Sequence, residues 1–325
     1  MSLRHLAAGF LLVALLAPSV TTGAPTPGKV PRLGVIFPGS RGAGPAAFEK
    51  ALPERGWIPG KNVLIEYRYA RGDLGAIPRL VAELVALDVS VIVSSSQAIA
   101  AAAAATRSIP IVMAFAVDDP VEQGWAASLA RPGGNITGIT LYVPELTAKR
   151  LEILKSAMPT LKRVGILAPV GAGGPGQVAV AETAARSLGL ASRVEGIREV
   201  GDYEPAFAAL KREGAQAVLV LSSSAFFAER SRIADLALKH RLPLASPFRE
   251  VTEAGGLLAY GPSIVGLWGE RVPVYVDRLL KGAKAGDLPI EQPNTFELVL
   301  NLKTGRALGL TVPRSLILRA DRVIE

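Results

Sequence analysis

Two serine triplets occupy matching places in the two halves of this 325-residue chain, Ser94-Ser95-Ser96 and Ser222-Ser223-Ser224. Each follows a short apolar, β-branched run and precedes a helical pattern. The free backbone N–H groups of a helix start, with the positive end of its dipole, favour an anion such as a carboxylate. A serine hydroxyl there can equally cap the helix, and for either triplet alone that account is as good. The matched positions favour two polar loops facing each other across one cleft. Asp118 and Asp119 follow another apolar run and could hold a ligand ammonium or accept hydroxyl protons. Pro120 suits the first turn of a helix, so Asp119 also reads as its cap, with Asp118 in solvent. Phe226, Phe227, Phe248 and Tyr260 lie near strand ends of the second half, where a ring could stack on a planar ligand. Of the neighbouring rings, one is expected to turn into the core. Ser40, in Pro38-Gly39-Ser40-Arg41-Gly42, and Glu250, in Pro247-Phe248-Arg249-Glu250, complete the polar groups placed just after strands.

Other chemistries find less support. Gly171-Ala172-Gly173-Gly174-Pro175-Gly176 satisfies G-x-G-x-x-G after a strand, and Glu195 lies about 20 residues on, as a dinucleotide fingerprint requires. Pro169 and Pro175 spoil the tight turn, however, and the motif opens the second half of the chain instead of the first. A flexible Gly-rich cleft loop is the competing account, and a Rossmann-type nucleotide-dependent enzyme is kept as the alternative function. His240 sits among basic residues before Pro243, as at a helix C-terminus. With no cysteine and two histidines, thiolate metal sites, disulfides and Ser-His triads are hard to build. No catalytic residue, metal or cofactor is assigned, and the chain is not expected to be an enzyme. Glu66, Tyr67 and Arg68 read as one solvated strand face.

These loops need a scaffold that puts them at one edge. Strand-like runs at 32–37, 63–69, 89–93 and 109–113 alternate with helical patterns at 76–87 and 97–106. A second series follows: helix 145–157, strand 163–168, helix 177–188, strand 191–197, helix 203–213, strand 217–221, helix 226–240, and strands near 243–246 and 256–260. A helix at 263–282, a strand at 295–301 and a short tail complete the chain. Such βαβ repetition predicts parallel sheets with helices on both faces. In open α/β sheets, ligands bind outside the carboxyl ends of the strands. The expected fold is therefore α/β, two Rossmann-like lobes built to one plan. The turn Arg131-Pro132-Gly133-Gly134-Asn135 breaks the chain near their junction.

Residues 1–24 read as a secretory signal peptide. Arg4 and His5 make a basic start, Leu6 to Ala17 is an apolar run too short to span a bilayer, and Thr22-Gly23-Ala24 offers small residues for cleavage. No Cys follows, which excludes a lipid anchor. The mature chain is thus expected in the periplasm, without stable membrane insertion. The formal net charge of +8 is spread along the sequence, without the clustered basic stripe of a nucleic-acid binder.

Several stretches together resemble the bacterial ABC-transporter substrate-binding proteins related to the tryptophan- and tyrosine-binding proteins. They are 62–68 (NVLIEYR), 108–112 (SIPIV), 118–121 (DDPV), 127–138 (ASLARPGGNITG), 248–250 (FRE) and 296–303 (FELVLNLK). The resemblance covers about residues 31–325. It implies a type I periplasmic-binding-protein fold, with lobes of 31–141 plus about 263–290 and 142–262 plus about 291–325 joined by a crossover hinge. It implies a solute receptor, a monomer, that closes on a small ligand and delivers it to an ABC permease and ATPase. An amino acid or an aromatic carboxylate is the first expectation for that ligand. A receptor subunit for a sensor kinase is a further alternative. Binding positions carried over fall near Ser40, Ser95, Ser96, Asp118 and Asp119 in the first lobe, and near Ser223, Phe227 and Glu250 in the second, with Tyr260 close by. Many relatives have Asn-Pro where this chain has Ala168-Pro169-Val170, and Asp-Pro or similar where it has Ser-Ser-Ser-Ala. Both departures fall in the expected cleft and bear on the ligand.

Overall fold

Apolar runs that are buried on both faces build the first sheet. The computed structural model describes residues 30–95, 97–171 and 174–325, so the signal-peptide reading and Ser96 lie outside the described residues. Five strands, β1 (Arg32–Phe37), β2 (Leu64–Tyr69), β3 (Val91–Ser95), β4 (Ile111–Ala116) and β5 (Ile136–Thr140), run parallel in the order β2-β1-β3-β4-β5. Every residue of β3, β4 and β5 is buried, as expected for strands covered by helices on both sides. Edge strand β2 carries Glu66 and Arg68 and is half-buried throughout. At the opposite edge Ile139 bridges to Glu291, whose N–H donates to Gly138 O at 2.8 Å. Gly138, at φ +124°, permits this tight edge: a Cβ there would strike the Met113 backbone, next to a register shift between β4 and β5.

The second sheet has seven strands: β6 (Arg163–Pro169), β7 (Ala191–Ile197), β8 (Ala217–Val220), β9 (Leu244–Ser246), β10 (Leu258–Gly261), β11 (Glu297–Asn301) and β12 (Arg322–Ile324). Their order is β12-β11-β10-β9-β8-β6-β7, and only the β10–β11 pair is antiparallel. The chain leaves the first sheet after β5 and enters helix Pro144–Ala157, which packs on β9 and β10. It returns after β10 into a helical stretch ending in Val272–Leu280, packed on β3, β4 and β5, and crosses back to form β11. The two sheets with their helices are the two lobes of the α/β fold.

Differences from the expected elements have local causes. Strands β5 and β12 and helix Ala43–Ala51 are additional to those expected. Their sequences, ITGIT, RVI and AGPAAFEKA, are short or broken by Gly and Pro. The helix expected at 226–240 is two helices, Ser224–Ala228 and Arg230–Lys239, divided at Glu229 where ψ swings to 16°.

Helices Ile77–Ala86 and Ala98–Ala105 cover one face of the first sheet, over Ile36, Ile92 and Met113. Helices Pro144–Ala157 and Gly174–Ser187 cover one face of the second. The largest apolar cluster belongs to both lobes at once, joining Phe37, Phe115 and Val117 to Phe226, Phe227 and Phe248. Trp268, fully buried, anchors it, with Phe37 edge-on at 5.9 Å and Phe48 at 6.3 Å. Pro31–Glu325 form one compact unit, with the lobes shut on each other.

Candidate functional site

The serine triplets meet. Ser95 Oγ lies 3.3 Å from Ser224 Oγ, and Gln97 Nε2 donates to Ser223 Oγ at 2.9 Å. Ser223 Oγ also accepts from Ala225 N–H at 3.1 Å, so it caps helix Ser224–Ala228 while receiving the other lobe. At the first triplet no side chain among the described residues caps helix Ala98–Ala105. Capping therefore accounts for part of the second triplet and for none of the described part of the first. Ser94 Oγ and Gln97 Oε1 are buried without a hydrogen-bond partner among the described residues. From helix Gly174–Ser187, Gln177 grips the Ser222 backbone twice, accepting from its N–H at 2.8 Å and donating to its carbonyl at 3.0 Å.

The acidic residues divide by environment. Asp119 Oδ1 accepts from Val121 N–H at 2.8 Å, the local turn-capping bond its sequence suggests. Asp118 is 9% exposed, not solvated, and burial pushes its pKa up to about 6. Glu250 follows β9, and both its carboxylate oxygens are buried without a hydrogen bond to another described residue. Its closest ion-pair contact is Arg249 Nε at 3.7 Å. Burial pushes its pKa up, opposed by its own backbone N–H and by Arg249.

Phe227 and Phe248 are both buried and meet edge-on at 5.5 Å, with the Arg230 guanidinium 5.4 Å from the Phe227 ring centre. Ser40 is exposed at the rim of a cavity of about 30 Å³ that it shares with Gln97, Ser223 and Phe226. Ser40, Ser95 and Ser223 thus lie along one interlobe seam, and Phe227 belongs to the apolar cluster that joins the lobes. Tyr260 packs with Phe296 at 6.0 Å against the core of the second lobe, and its carbonyl accepts from Arg150.

Arg150 is absent from the expected set. It is 6% exposed, and Nε donates to the Tyr260 carbonyl at 2.7 Å. Burial pushes its pKa down to about 10. In sequence it reads as half of a basic pair with Lys149. The periodicity carries the contrary signal, because Leu146, Arg150, Ile153, Leu154 and Ala157 form one helical stripe whose other members are apolar and buried.

Glu195, which a dinucleotide would need, lies within β7 and pairs with Arg193 at 3.1 Å. His240 contacts Glu204 at 3.1 Å and stacks on Phe207, at a helix end. Among the described residues there is no group of three His, Asp or Glu placed to hold a metal ion, and no helix long and apolar enough to cross a membrane.

Known proteins agree with this architecture. A conserved domain protein of Vibrio cholerae superposes with a TM-score of 0.84 at 21% identity, over 91% of this chain and all of that one. An ABC domain in complex with L-Trp, from Streptococcus pneumonia, gives 0.82 at 22% identity, over 91% and 100%. A tyrosine-binding protein of Clostridioides difficile is 26% identical over 265 residues, 81% of this chain and 75% of that protein. The fold is that of the type I periplasmic binding proteins. Residues 40–324 match the ABC transporter substrate binding protein family, a family of solute receptors that does not favour the dinucleotide-enzyme alternative, and the chain belongs to it.

Proposed function

We propose that this protein is the periplasmic receptor of an ABC importer, closing its lobes over an amino acid or an aromatic carboxylate. The interlobe seam carries this reading. Its polar groups include Ser94 and Gln97, buried with atoms that have no hydrogen-bond partner among the described residues, and Glu250 of the second lobe is buried without one as well. Buried polar groups are costly unless they are paired, so a seam holding several is suited to a guest that supplies the partners. Phe227, Phe248 and Trp268 supply the apolar walls that small-molecule sites use. The named ligands of the relatives, tryptophan and tyrosine, have the mixture of ring, carboxylate and ammonium that such a seam accommodates.

On this reading residues 1–24 are removed on export, the receptor is an unanchored monomer, and its function is binding without catalysis. Hinge closure about the three crossovers signals the loaded state to the permease. Native mass spectrometry of the protein isolated from a bacterial periplasm, followed by calorimetric titration with aromatic amino acids and aromatic acids, tests the proposal. A co-purified small carboxylate and a saturable heat are expected. A protein that carries no small molecule, and whose melting temperature none of these solutes shifts, would sink it.

A further inference from the structure

Arg150 carries a buried charge that the fold does not neutralise. Among the described residues, two of the five N–H donors of its guanidinium have contacts: Nε to the Tyr260 carbonyl, and Nη1 to Thr147 Oγ1 at a long 3.4 Å. Among the described residues no carboxylate pairs with it; burial pushes its pKa down, and Tyr260 acts in the opposite direction. Buried charges persist where a counter-charge meets them, and an uncompensated one is among the costliest features a core can hold. A tie to one backbone carbonyl does not explain the charge, since a neutral donor would serve.

The surroundings of Arg150 indicate where the counter-charge sits. Arg150, Thr147, Gln177 and Ser222 line one side of a cavity whose other side is Val117, Leu141 and Tyr142. Val117 follows β4, Leu141 follows β5 and Ser222 follows β8, so the cavity lies between the lobes, beside the first crossover. Its volume is about 20 Å³, room for about one water, so a larger guest requires the lobes to part. Gln177 fixes the Ser222 backbone on the same wall.

We infer that Arg150 is the anion anchor of the cleft, holding the ligand's carboxylate through its planar guanidinium against the Ser222 wall. The inference rests on the proposed receptor function and deepens it. It moves the carboxylate from the serine-triplet helix starts to a side-chain charge beside the hinge. Arginine presents paired N–H groups that match a carboxylate, which lysine does not.

The test is calorimetric titration of the wild type, Arg150→Gln and Arg150→Lys with L-tryptophan, L-tyrosine and benzoate, and with the carboxylate-free amines tryptamine and tyramine. Arg150→Gln is expected to weaken the carboxylates roughly 30-fold or more and to leave any binding of the amines unchanged. Arg150→Lys should fall between. The empty Arg150→Gln protein should melt at or above the wild-type temperature, because an unpaired buried charge has been removed; a purely structural role would lower it. Equal affinity of Arg150→Gln and the wild type for a carboxylate the wild type binds overturns the inference and leaves the receptor function standing. If the wild type binds none of these solutes, the proposed ligand class falls and the inference with it. Should Arg150→Gln not fold, wild-type affinity for tryptamine equal to that for tryptophan overturns the inference by itself.

Discussion

Gln97 Nε2 and the N–H of Ala225 both donate to Ser223 Oγ, at 2.9 Å and 3.1 Å, so one hydroxyl oxygen holds a helix start and the opposite lobe together. Capping of helix Ser224–Ala228 and closure of the cleft therefore share an atom. A solute group that takes the place of Gln97 leaves the cap intact, whereas loss of Ser223 removes both.

Gln97→Ala should loosen closure without loosening the fold. A buried hydrogen bond contributes about 1 kcal/mol net, so the closed-to-open ratio of the empty protein should fall roughly fivefold. Ser223→Ala should lose that bond and about 1 kcal/mol of capping as well. Small-angle scattering reads the first effect as a larger radius of gyration, and thermal melting reads the second. A double substitution no more open than either single one is the signature of the shared bond. Strict additivity in the scattering would show that the lobes are held elsewhere.

Asp118 should make the receptor sensitive to pH. Burial raises its folded pKa to about 6, above the value near 3.9 of an unfolded carboxyl. The unfolded chain then gives up its proton first, so stability declines as pH rises from about 4 to about 6 and levels off above that. Asp118→Asn should remove this component and flatten the melting temperature between pH 4 and pH 7. If a ligand ammonium meets Asp118, wild-type affinity rises with pH through 6, and the Asn variant loses that rise. A wild-type melting profile identical to that of Asp118→Asn would dismiss the buried carboxyl as a titrating group.

The lobes and their parallel strands are legible in the sequence because β-branched runs such as VSVIV and AVLVL alternate with Leu- and Val-bearing helical stripes such as 76–87. The edge β5 was hidden by Gly138, whose positive φ is set by the neighbouring strand and not by its own segment. The seam was legible in part. Ser95 ends β3 and Ser223 follows β8, and strand ends face the cleft. What position after a strand does not reveal is facing: the ring of Tyr260, on β10, packs with Phe296 against the core of the second lobe, while its carbonyl meets Arg150. Arg150 was obscured for the opposite reason, because it lies on a helix and not in a loop after a strand, and its basic neighbour Lys149 suggests solvent.

Phe227→Leu separates the ring from the apolar bulk. The leucine keeps most of the buried volume, at a packing cost of under about 1.5 kcal/mol. It forfeits the edge-on contact with Phe248 and the cation–π contact with Arg230, each worth about 0.5–1.5 kcal/mol. A drop of several degrees in melting temperature is expected. If the ring faces a planar ligand, affinity for tyrosine should fall more than affinity for leucine. Equal losses for both solutes would assign Phe227 to packing alone.

Gly39 is placed to decide whether the closed form is the binding form. It follows β1, and a Cβ built there would stand 2.7 Å from Ala228 Cβ on the opposite lobe and 3.1 Å from the Phe37 ring. Its φ is not positive, so a side chain meets the other lobe and not a forbidden backbone conformation. Gly39→Val should wedge the seam apart, increase the radius of gyration and weaken ligand by at least about tenfold, which corresponds to about 1.4 kcal/mol. Gly39→Ala with Ala228→Gly exchanges one methyl across the seam and should restore much of the affinity that Gly39→Ala loses alone. That rescue distinguishes a steric wedge from damage to the first lobe, since Ala228 belongs to the second. A Gly39→Val protein that binds as tightly as the wild type at an unchanged radius would mean that the lobes need not meet at Gly39 to hold a ligand.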